Sequence, residues 1–259
     1  LSYSPNINYE QSDDECLIEV RENEGTLETA MQWAKEKRGL ITFTWHWFSP
    51  VGGCGKSFYT KNTDFNPEKA LEEGSNENQA LISDMDYMAG LLKPFKDNHI
   101  PILWRPFHES EGKWFWWGSQ SYKTAANLYR LMFERFSNHH GLNNLIWVWN
   151  SPISEGYPGD DVVDVISRDD YLPKRTQTDY KEQYDELIKI TPAKKIAALG
   201  EVGNIPNIEI LKTSKVPFSW YMTWSKEFCL SEEWNSFEQL AKTYNSEYAI
   251  TLDILPKLY

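Results

Sequence analysis

The stretch IPILWRPFHESEGKWFWWG, residues 100–118, sets the expectation for the fold. It opens on a short run, residues 100–104, that is apolar on both faces, which is typical of a parallel strand covered by helices. Arg105, His108 and Glu109 follow, and charged groups at the end of a buried strand are unfavourable unless they are paired. Three tryptophans come next and offer flat surfaces for stacking. The stretch therefore predicts a parallel α/β sheet with a polar, aromatic-lined site where its strands end.

Runs of the same kind recur along the chain, and segments with helical periodicity separate them. The runs are residues 40–47, 144–149, 162–167, 196–200 and 218–223. One helix is predicted from Leu81, Met85, Met88 and Leu92, which fall on one face, and Pro94 is expected to end it. The acidic stretch between Glu10 and Glu24 shows little periodicity, and we expect it to form a solvated loop.

Strands and helices alternate over all 259 residues, and no linker, low-complexity tract or block of like charges divides them. A single α/β barrel spanning residues 1–259 is the simplest architecture for this pattern. A doubly wound sheet is the alternative, but no glycine-rich phosphate loop follows any of the strands.

The composition argues against several classes of partner. The formal net charge is -12, from 26 basic and 38 acidic residues without a basic run, which argues against nucleic acid and anionic membranes. No apolar run is long enough to span a bilayer. Cys16, Cys54 and Cys229 lack the spacing of a metal site, and His139 and His140 are expected at the exposed end of a helix, so we predict no metal. Aromatic residues make up 15% of the chain, with 12 tryptophans, and we expect some in the core and others in a binding cleft.

In a barrel of this kind the site lies where the strands end. The predicted strand ends carry a set of polar and aromatic side chains: His46, Glu109, Asn150, Asp169, Tyr171, Glu201 and Trp224. Glu109 and Glu201 are 92 positions apart and follow different strands. Glycoside hydrolysis with retained configuration uses two such carboxyl groups at a separation of about 5–5.5 Å, and stacking aromatics suit a sugar ring. The structural alternative is that either glutamate caps a helix or pairs with Arg105.

Several of these residues lie in longer motifs that resemble, in the same order, those of glycoside hydrolase family 26. RPFHESEGKWFWWG at 105–118 resembles the family's acid/base motif, in which histidine immediately precedes glutamate. TFTWHWFSP at 42–50 and SFYTKNTDFN at 57–66 resemble its third-strand motif and the following loop. WNSP at 149–152 and YPGDDVVDVISRDDY at 157–171 resemble the region of its fifth and sixth strands, and GEVGNIP at 200–206 resembles its nucleophile motif.

The resemblance implies a (β/α)8 TIM barrel and a retaining endo-β-1,4-mannanase, with Glu109 as acid/base and Glu201 as nucleophile. It implies substrate-binding roles for six side chains: His46, Arg105, His108, Trp114, Tyr171 and Trp224. It implies neither a cofactor nor a metal. Two alternatives stay open: a related hydrolase of mixed-linkage β-glucan or β-1,3-xylan, and a carbohydrate-binding barrel without catalysis.

The substrate class implies β-mannan, glucomannan or galactomannan as the partner, and we expect a secreted monomer. Counted against the family pattern, residues 1–4 are the end of the second strand. We therefore expect the first strand and its helix to lie outside the given sequence, which would leave a gap between the second and eighth strands. The alternative is that residues 5–25, which show little periodicity, contain a strand that fills this gap.

Overall fold

The computed structural model describes residues 1, 2, 4, 5, 7, 14–51 and 57–259, and a parallel sheet organises them. Six strands form the sheet within these residues: β1 Ile41–Thr44, β2 Ile102–Arg105, β3 Leu145–Asn150, β4 Val165–Asp170, β5 Ile196–Val202 and β6 Tyr221–Thr223. Their spatial order is the same as their order in the chain, and every neighbouring pair is parallel.

This sequential order distinguishes an α/β barrel from a doubly wound sheet, the two architectures that the sequence left open. Each right-handed crossover moves the chain one strand further in the same direction, so the helices stay on one face and the sheet curls around the other. A doubly wound sheet would instead reverse direction at a switch point. The fold is therefore a curled, parallel α/β half-barrel.

The two faces of the sheet pack differently. On the inner face, Leu103, Val148, Val165 and Ala198 from four adjacent strands form a small apolar cluster. A much larger cluster, which includes Trp104 and Trp147, packs the outer face against the helices. Because side chains alternate along a strand, the residues that follow the inner cluster at even spacing also point inward.

Eight α-helices are described: α1 Asp14–Glu22, α2 Thr26–Lys37, α3 Asn76–Asp97, α4 Tyr122–Phe133, α5 Lys181–Leu187, α6 Ile208–Ser214, α7 Glu227–Leu230 and α8 Phe237–Tyr244. A π-helical turn, Glu134–His139, extends α4. Serine side chains cap the first turns of α3, α4 and α8, where Ser75, Ser121 and Ser236 each accept a hydrogen bond from a backbone N–H three residues ahead.

Two expectations about helices were wrong. α3 continues through Pro94 to Asp97. A proline removes one helical hydrogen bond and crowds the carbonyl four residues earlier, but that residue is Gly90, with open space around it, and the helix ends three residues later. In the acidic stretch, residues 14–22 form α1 instead of a solvated loop, because Cys16, Leu17 and Val20 share a buried face.

Glu10, Asp13 and Cys54 lie outside the described residues. Cys16 is buried, with its Sγ 2.8 Å from the Ser57 hydroxyl. No helix in the described ranges combines the length and the apolar character that a membrane crossing requires.

The two edges of the sheet differ among the described residues. Leu1 donates its backbone nitrogen to Thr44 and accepts a hydrogen bond of 2.7 Å from His46, so that it lies beside β1. At the opposite edge, no strand among the described residues pairs with the outer side of β6. The strand count puts the expected gap at this edge, and that expectation stays a prediction.

Candidate active site

Inward-facing polar side chains meet where the strands end. Arg105 follows Leu103 by two residues on β2, and Asn150 follows Val148 by two residues on β3, so both continue the inner face of the sheet. Asp169, near the end of β4, completes the group. Asn150 Nδ2 donates to Asp169 Oδ1 at 2.9 Å and to the Ser167 hydroxyl at 2.9 Å. The alternation of side chains along the strands therefore places these polar groups together on the inner face of the sheet, where the strands end.

Arg105 is the central cation of the site and is 2% exposed. Its Nη1 donates to both carboxylate oxygens of Asp169, at 3.0 and 2.9 Å, and its Nη2 donates to Glu201 Oε1. Its Nε donates to the Thr44 hydroxyl at 3.2 Å. A buried guanidinium with this many partners is firmly oriented.

Glu201 lies within β5 and is almost completely buried. Its second oxygen, Oε2, accepts a hydrogen bond of 2.9 Å from the Tyr171 hydroxyl. Burial, with the negative charge of Asp169 nearby, raises the pKa of Glu201 to about 7, although the hydrogen bonds from Arg105 and Tyr171 lower it. The carboxylate is thus fixed through both oxygens and remains ionisable near neutral pH.

Glu109 lies in the loop that follows β2, four residues after Arg105. Its backbone φ is 53°, and those of Phe107 and Lys113 are 53° and 60°, so the loop contains three left-handed non-glycine residues. The Glu109 N–H donates to Asn150 Oδ1 at 3.1 Å and to the Asn150 carbonyl at 3.2 Å, which holds this turn. Strained backbone supported in this way is common at functional sites.

The Glu109 carboxyl group is half-buried, and Trp114 Nε1 donates to its Oε2 at 2.8 Å. Burial is the largest cause of an increase in its pKa to about 8, and the negative charges of Asp169 and Glu201 add to it. The Trp114 hydrogen bond and Arg105 act in the opposite direction. Arg105 and Tyr171 both donate to Glu201, whereas Trp114 donates to Glu109, so a single proton shared by the two carboxyl groups resides on Glu109.

The carboxyl groups of Glu109, Asp169 and Glu201 converge, and one oxygen of each lies within 4.8 Å of the others. Three carboxylates at this spacing could hold a divalent cation. Here Arg105 already donates to Asp169 and Glu201, so positive charge is present between two of the three.

His46 and His108 lie beside this group with their rings edge to face, 4.9 Å apart. Both side chains are buried. Burial is the main cause that lowers the pKa of His46 to about 3 and that of His108 well below its ordinary value, with positive charge that includes Arg105 adding to it. Both imidazoles are therefore neutral at neutral pH and supply packing and hydrogen-bonding groups instead of charge.

Aromatic side chains flank the carboxyl groups. Trp114 is 47% exposed beside Glu109, and Tyr171 is 42% exposed beside Glu201. Tyr171 and Trp224 line a cleft of about 550 Å³ that reaches Glu19 and Glu22 on α1. Trp116 and Trp117, which also belong to the tryptophan-rich stretch, are buried and donate to the carbonyls of Trp47 and His108, so they pack behind the loop.

All eight side chains that the sequence selected come together at this edge of the sheet. The structure adds Asp169 and Asn150, which the strand-end pattern had singled out without a role, and Thr44. It also adds Gly200, since a Cβ there would lie 2.5 Å from Asp169 Oδ1 and 2.7 Å from Asn150 Nδ2. No feature of the sequence other than the glycine itself indicates this close approach.

Comparison with known proteins gives a consistent family. The model of glycosyl hydrolase family 26 matches residues 7–254. A mannan endo-1,4-beta-mannosidase of Thermothelomyces thermophilus is 40% identical over 244 residues, which cover 90% of this chain and 50% of that protein. Mannan endo-1,4-beta-mannosidase A of Piromyces sp is 36% identical over 242 residues, with 91% and 38% covered. The chain thus spans half or less of the length of these curated relatives.

Solved structures agree with the sequence relatives. A β-(1,4)-mannanase of Podospora anserina superposes with a TM-score of 0.84 at 37% identity, covering 89% of this chain and 53% of that one. A β-mannanase from a symbiotic protist of the termite Reticulitermes speratus, solved with a gluco-manno-oligosaccharide, superposes with a TM-score of 0.83 at 32% identity, covering 90% and 73%. Because the family model matches residues 7–254, nearly the whole of this chain, the chain belongs to glycosyl hydrolase family 26.

Proposed function

We propose that this protein is a retaining endo-β-1,4-mannanase that hydrolyses β-mannan, glucomannan or galactomannan. The convergence of Glu109 and Glu201, with one oxygen of each within 4.8 Å, carries the proposal. Retaining glycosidases need their two carboxyl groups about 5–5.5 Å apart, whereas inverting enzymes leave roughly 6.5–9.5 Å for a water molecule. The close approach supports direct attack by one carboxylate.

In the first step Glu109 is the acid and Glu201 is the nucleophile. Protonated Glu109 gives its proton to the glycosidic oxygen while a Glu201 oxygen attacks the anomeric carbon. The bond to the leaving sugar breaks, and a glycosyl ester of Glu201 forms. The raised pKa of Glu109 supports this assignment, because the acid must hold a proton near neutral pH.

In the second step Glu109, now ionised, removes a proton from a water molecule whose oxygen attacks the same anomeric carbon. The ester bond breaks, Glu201 leaves as a carboxylate, and Glu109 regains its proton. Arg105 and Tyr171 donate to the two oxygens of Glu201 and so stabilise the carboxylate that leaves. We expect Trp114, which is exposed, and Trp224, which is half-buried, to stack on the sugar that is attacked, and neutral His46 and His108 to contact its hydroxyls.

The proposed substrate follows from the relatives, whose names specify β-1,4-mannan. The six strands described would form the larger part of a (β/α)8 barrel, because a sequential parallel sheet with helices on one face closes in that way. Polysaccharides of this kind lie outside cells, so we also propose that the protein is secreted and acts as a monomer.

The proposal is tested by reducing-sugar release from galactomannan, glucomannan, lichenan and β-1,3-xylan. We expect release from the two mannans, with the β-anomer formed first in the NMR spectrum of the product. Glu201→Ala should nearly abolish release. Glu109→Ala should lose about 10²–10⁴-fold in hydrolytic activity on mannan. Its activity should recover partly with an aryl β-mannoside whose leaving group needs no proton.

Glu155→Ala is the matched control, because Glu155 is exposed and lies at the same end of the sheet after β3. Its activity should equal that of the parent protein. Hydrolysis of lichenan or xylan in preference to mannan would reassign the substrate. Binding without hydrolysis of any of the four would contradict catalysis altogether.

A further inference from the structure

A second group of metal-ligating side chains lies on the helical face of the molecule. Asp86 projects from α3, His139 ends the π-helical turn after α4, and His140 follows that turn. Within the described residues, one carboxylate oxygen and one ring nitrogen from each histidine all lie within 4.8 Å of one another. The histidine rings are nearly perpendicular, with centroids 4.8 Å apart.

The carboxylate of Asp86 is held in place by a neighbouring cation. Arg135 donates to Asp86 Oδ1 from Nε at 2.6 Å and to Oδ2 from Nη2 at 2.7 Å, and His140 Nε2 lies 2.7 Å from Oδ1. Although burial acts in the opposite direction, these hydrogen bonds lower the pKa of Asp86, so the group is anionic at neutral pH. A carboxylate oriented by a hydrogen-bond donor of this kind resembles the supported ligands of metal sites.

The π-helical turn has a direct part in this geometry. A π turn inserts an extra residue into the helix and changes the direction of the side chains that follow it, and such turns are frequent at functional sites. Here it ends at His139, and both imidazoles lie alongside Asp86, which is 54 positions from His140 in sequence. His139 is exposed and His140 and Asp86 are half-exposed, so an ion can reach the cluster from solvent.

We infer that Asp86, His139 and His140 form a Zn²⁺ site. Two imidazoles and one carboxylate are a common ligand set for zinc, with water in the fourth position of a tetrahedral site. A bound ion would connect α3 to the extension of α4. Its expected consequence is stability, since the site lies on the helical layer and shares no side chain with the carboxyl cluster of Glu109 and Glu201.

The experiment is zinc titration of the whole protein at pH 7.5, followed by calorimetry and thermal unfolding, with Co²⁺ absorption as a probe of coordination. We expect one ion per chain. At about 100 times the dissociation constant, the melting temperature should rise by about 5 °C or more. His139→Gln and His140→Gln should each bind more than about tenfold more weakly.

His99→Gln is the control, because His99 is an exposed histidine at the end of α3 outside the cluster, and it should bind as the parent protein does. His139 is also exposed, so its replacement leaves the fold intact and isolates the effect on zinc. Equal affinity in the parent, His139→Gln and His140→Gln would overturn the inference, as would failure of the parent to bind zinc at all.

Discussion

At the scale of single residues, the two glutamates predict the pH dependence. Catalysis as proposed needs Glu109 protonated and Glu201 ionised, with pKa values of about 8 and about 7. Below the lower value Glu201 gains a proton, and above the higher value Glu109 loses one, so kcat/KM should be bell-shaped with its maximum between about pH 7 and 8. The measurement is kcat/KM on soluble mannan from pH 4 to 10.

The same profile separates the two residues. In Glu109→Ala, assayed with an aryl β-mannoside that needs no proton, the alkaline limb due to the acid should disappear from the bond-cleavage step, while the acidic limb from Glu201 remains. A parent profile with its maximum below pH 5 would contradict the raised pKa values.

Trp114 connects substrate stacking to the pKa of the acid. Its indole N–H stabilises the ionised form of Glu109, so Trp114→Phe should raise the pKa of Glu109 and move the alkaline limb to higher pH while an aromatic ring remains. Trp114→Ala should in addition raise KM. The control is Trp33→Phe, in α2 and away from the cleft, which should leave the limb unchanged; an unchanged limb in Trp114→Phe would contradict the proposed contact.

The sequence predicted Glu109, Glu201 and Arg105 because each interrupts or ends an apolar strand, where an unpaired charge is unfavourable. It could not predict that Arg105 pairs with Asp169 and Glu201 together. That contact depends on the relative positions of β2, β4 and β5. The periodicity of apolar residues within a strand does not show which other strands lie close to it.

At the scale of elements, an irregularity in strand pairing places the nucleophile. The register between β4 and β5 shifts after Arg168, which pairs with Leu199, so that Asp169 pairs with Glu201 and Gly200 is the additional residue. Such a bulge redirects side chains and is common beside active sites. It allows Glu201 to reach Arg105 and Tyr171 from a strand that is otherwise apolar.

Gly200→Ala tests this arrangement. The added Cβ would collide with Asp169 Oδ1 and Asn150 Nδ2, at 2.5 and 2.7 Å, and displace both. We expect a loss of about 1–3 kcal/mol in the free energy of unfolding and of about 10²-fold or more in kcat/KM, since small misplacements of catalytic groups reduce rates strongly. Gly90→Ala in α3, with open space around it, should instead stabilise by about 0.5–1 kcal/mol without changing kcat/KM. Comparable activity in the two variants would contradict the role of the bulge.

Strand positions were predictable to within a few residues because short apolar runs bounded by turn residues have few other interpretations. The first helix was not, since its apolar residues are few and the surrounding acidic residues resemble a solvated segment. The π-helical turn was also missed, because the sequence of residues 134–140 reads as an ordinary continuation of α4. The Asp86, His139 and His140 cluster depends on that turn, so spacing within the sequence could not reveal it.

At the scale of the whole molecule, the architecture was the most predictable level. Alternating strands and helices without a linker left few topologies, and right-handed crossovers select one of them. The inner cluster of Leu103, Val148, Val165 and Ala198 and the polar groups beyond it share one alternation. The same alternation of side chains along the strands therefore places apolar residues in the inner core and polar residues of the candidate site at the ends of the strands.

The half-buried carboxyl group of Glu109 lowers the stability of the whole fold at alkaline pH. The folded protein keeps a proton on Glu109 up to about pH 8, whereas the unfolded chain releases it near 4.5. Between these values the folded state holds a proton on Glu109 that the unfolded chain has lost, so the contribution of Glu109 to stability falls as the pH rises. Glu109→Gln removes this contribution and should be more stable than the parent by roughly 1–3 kcal/mol at pH 8.5, after allowance for partial exposure, and about equal to it at pH 4.5. Urea unfolding at the two pH values measures the difference, with Glu73→Gln, an exposed position, as the control. An effect of the same size at both pH values would show that shape and not charge is responsible, and the fold would then carry no cost of keeping this carboxyl group buried.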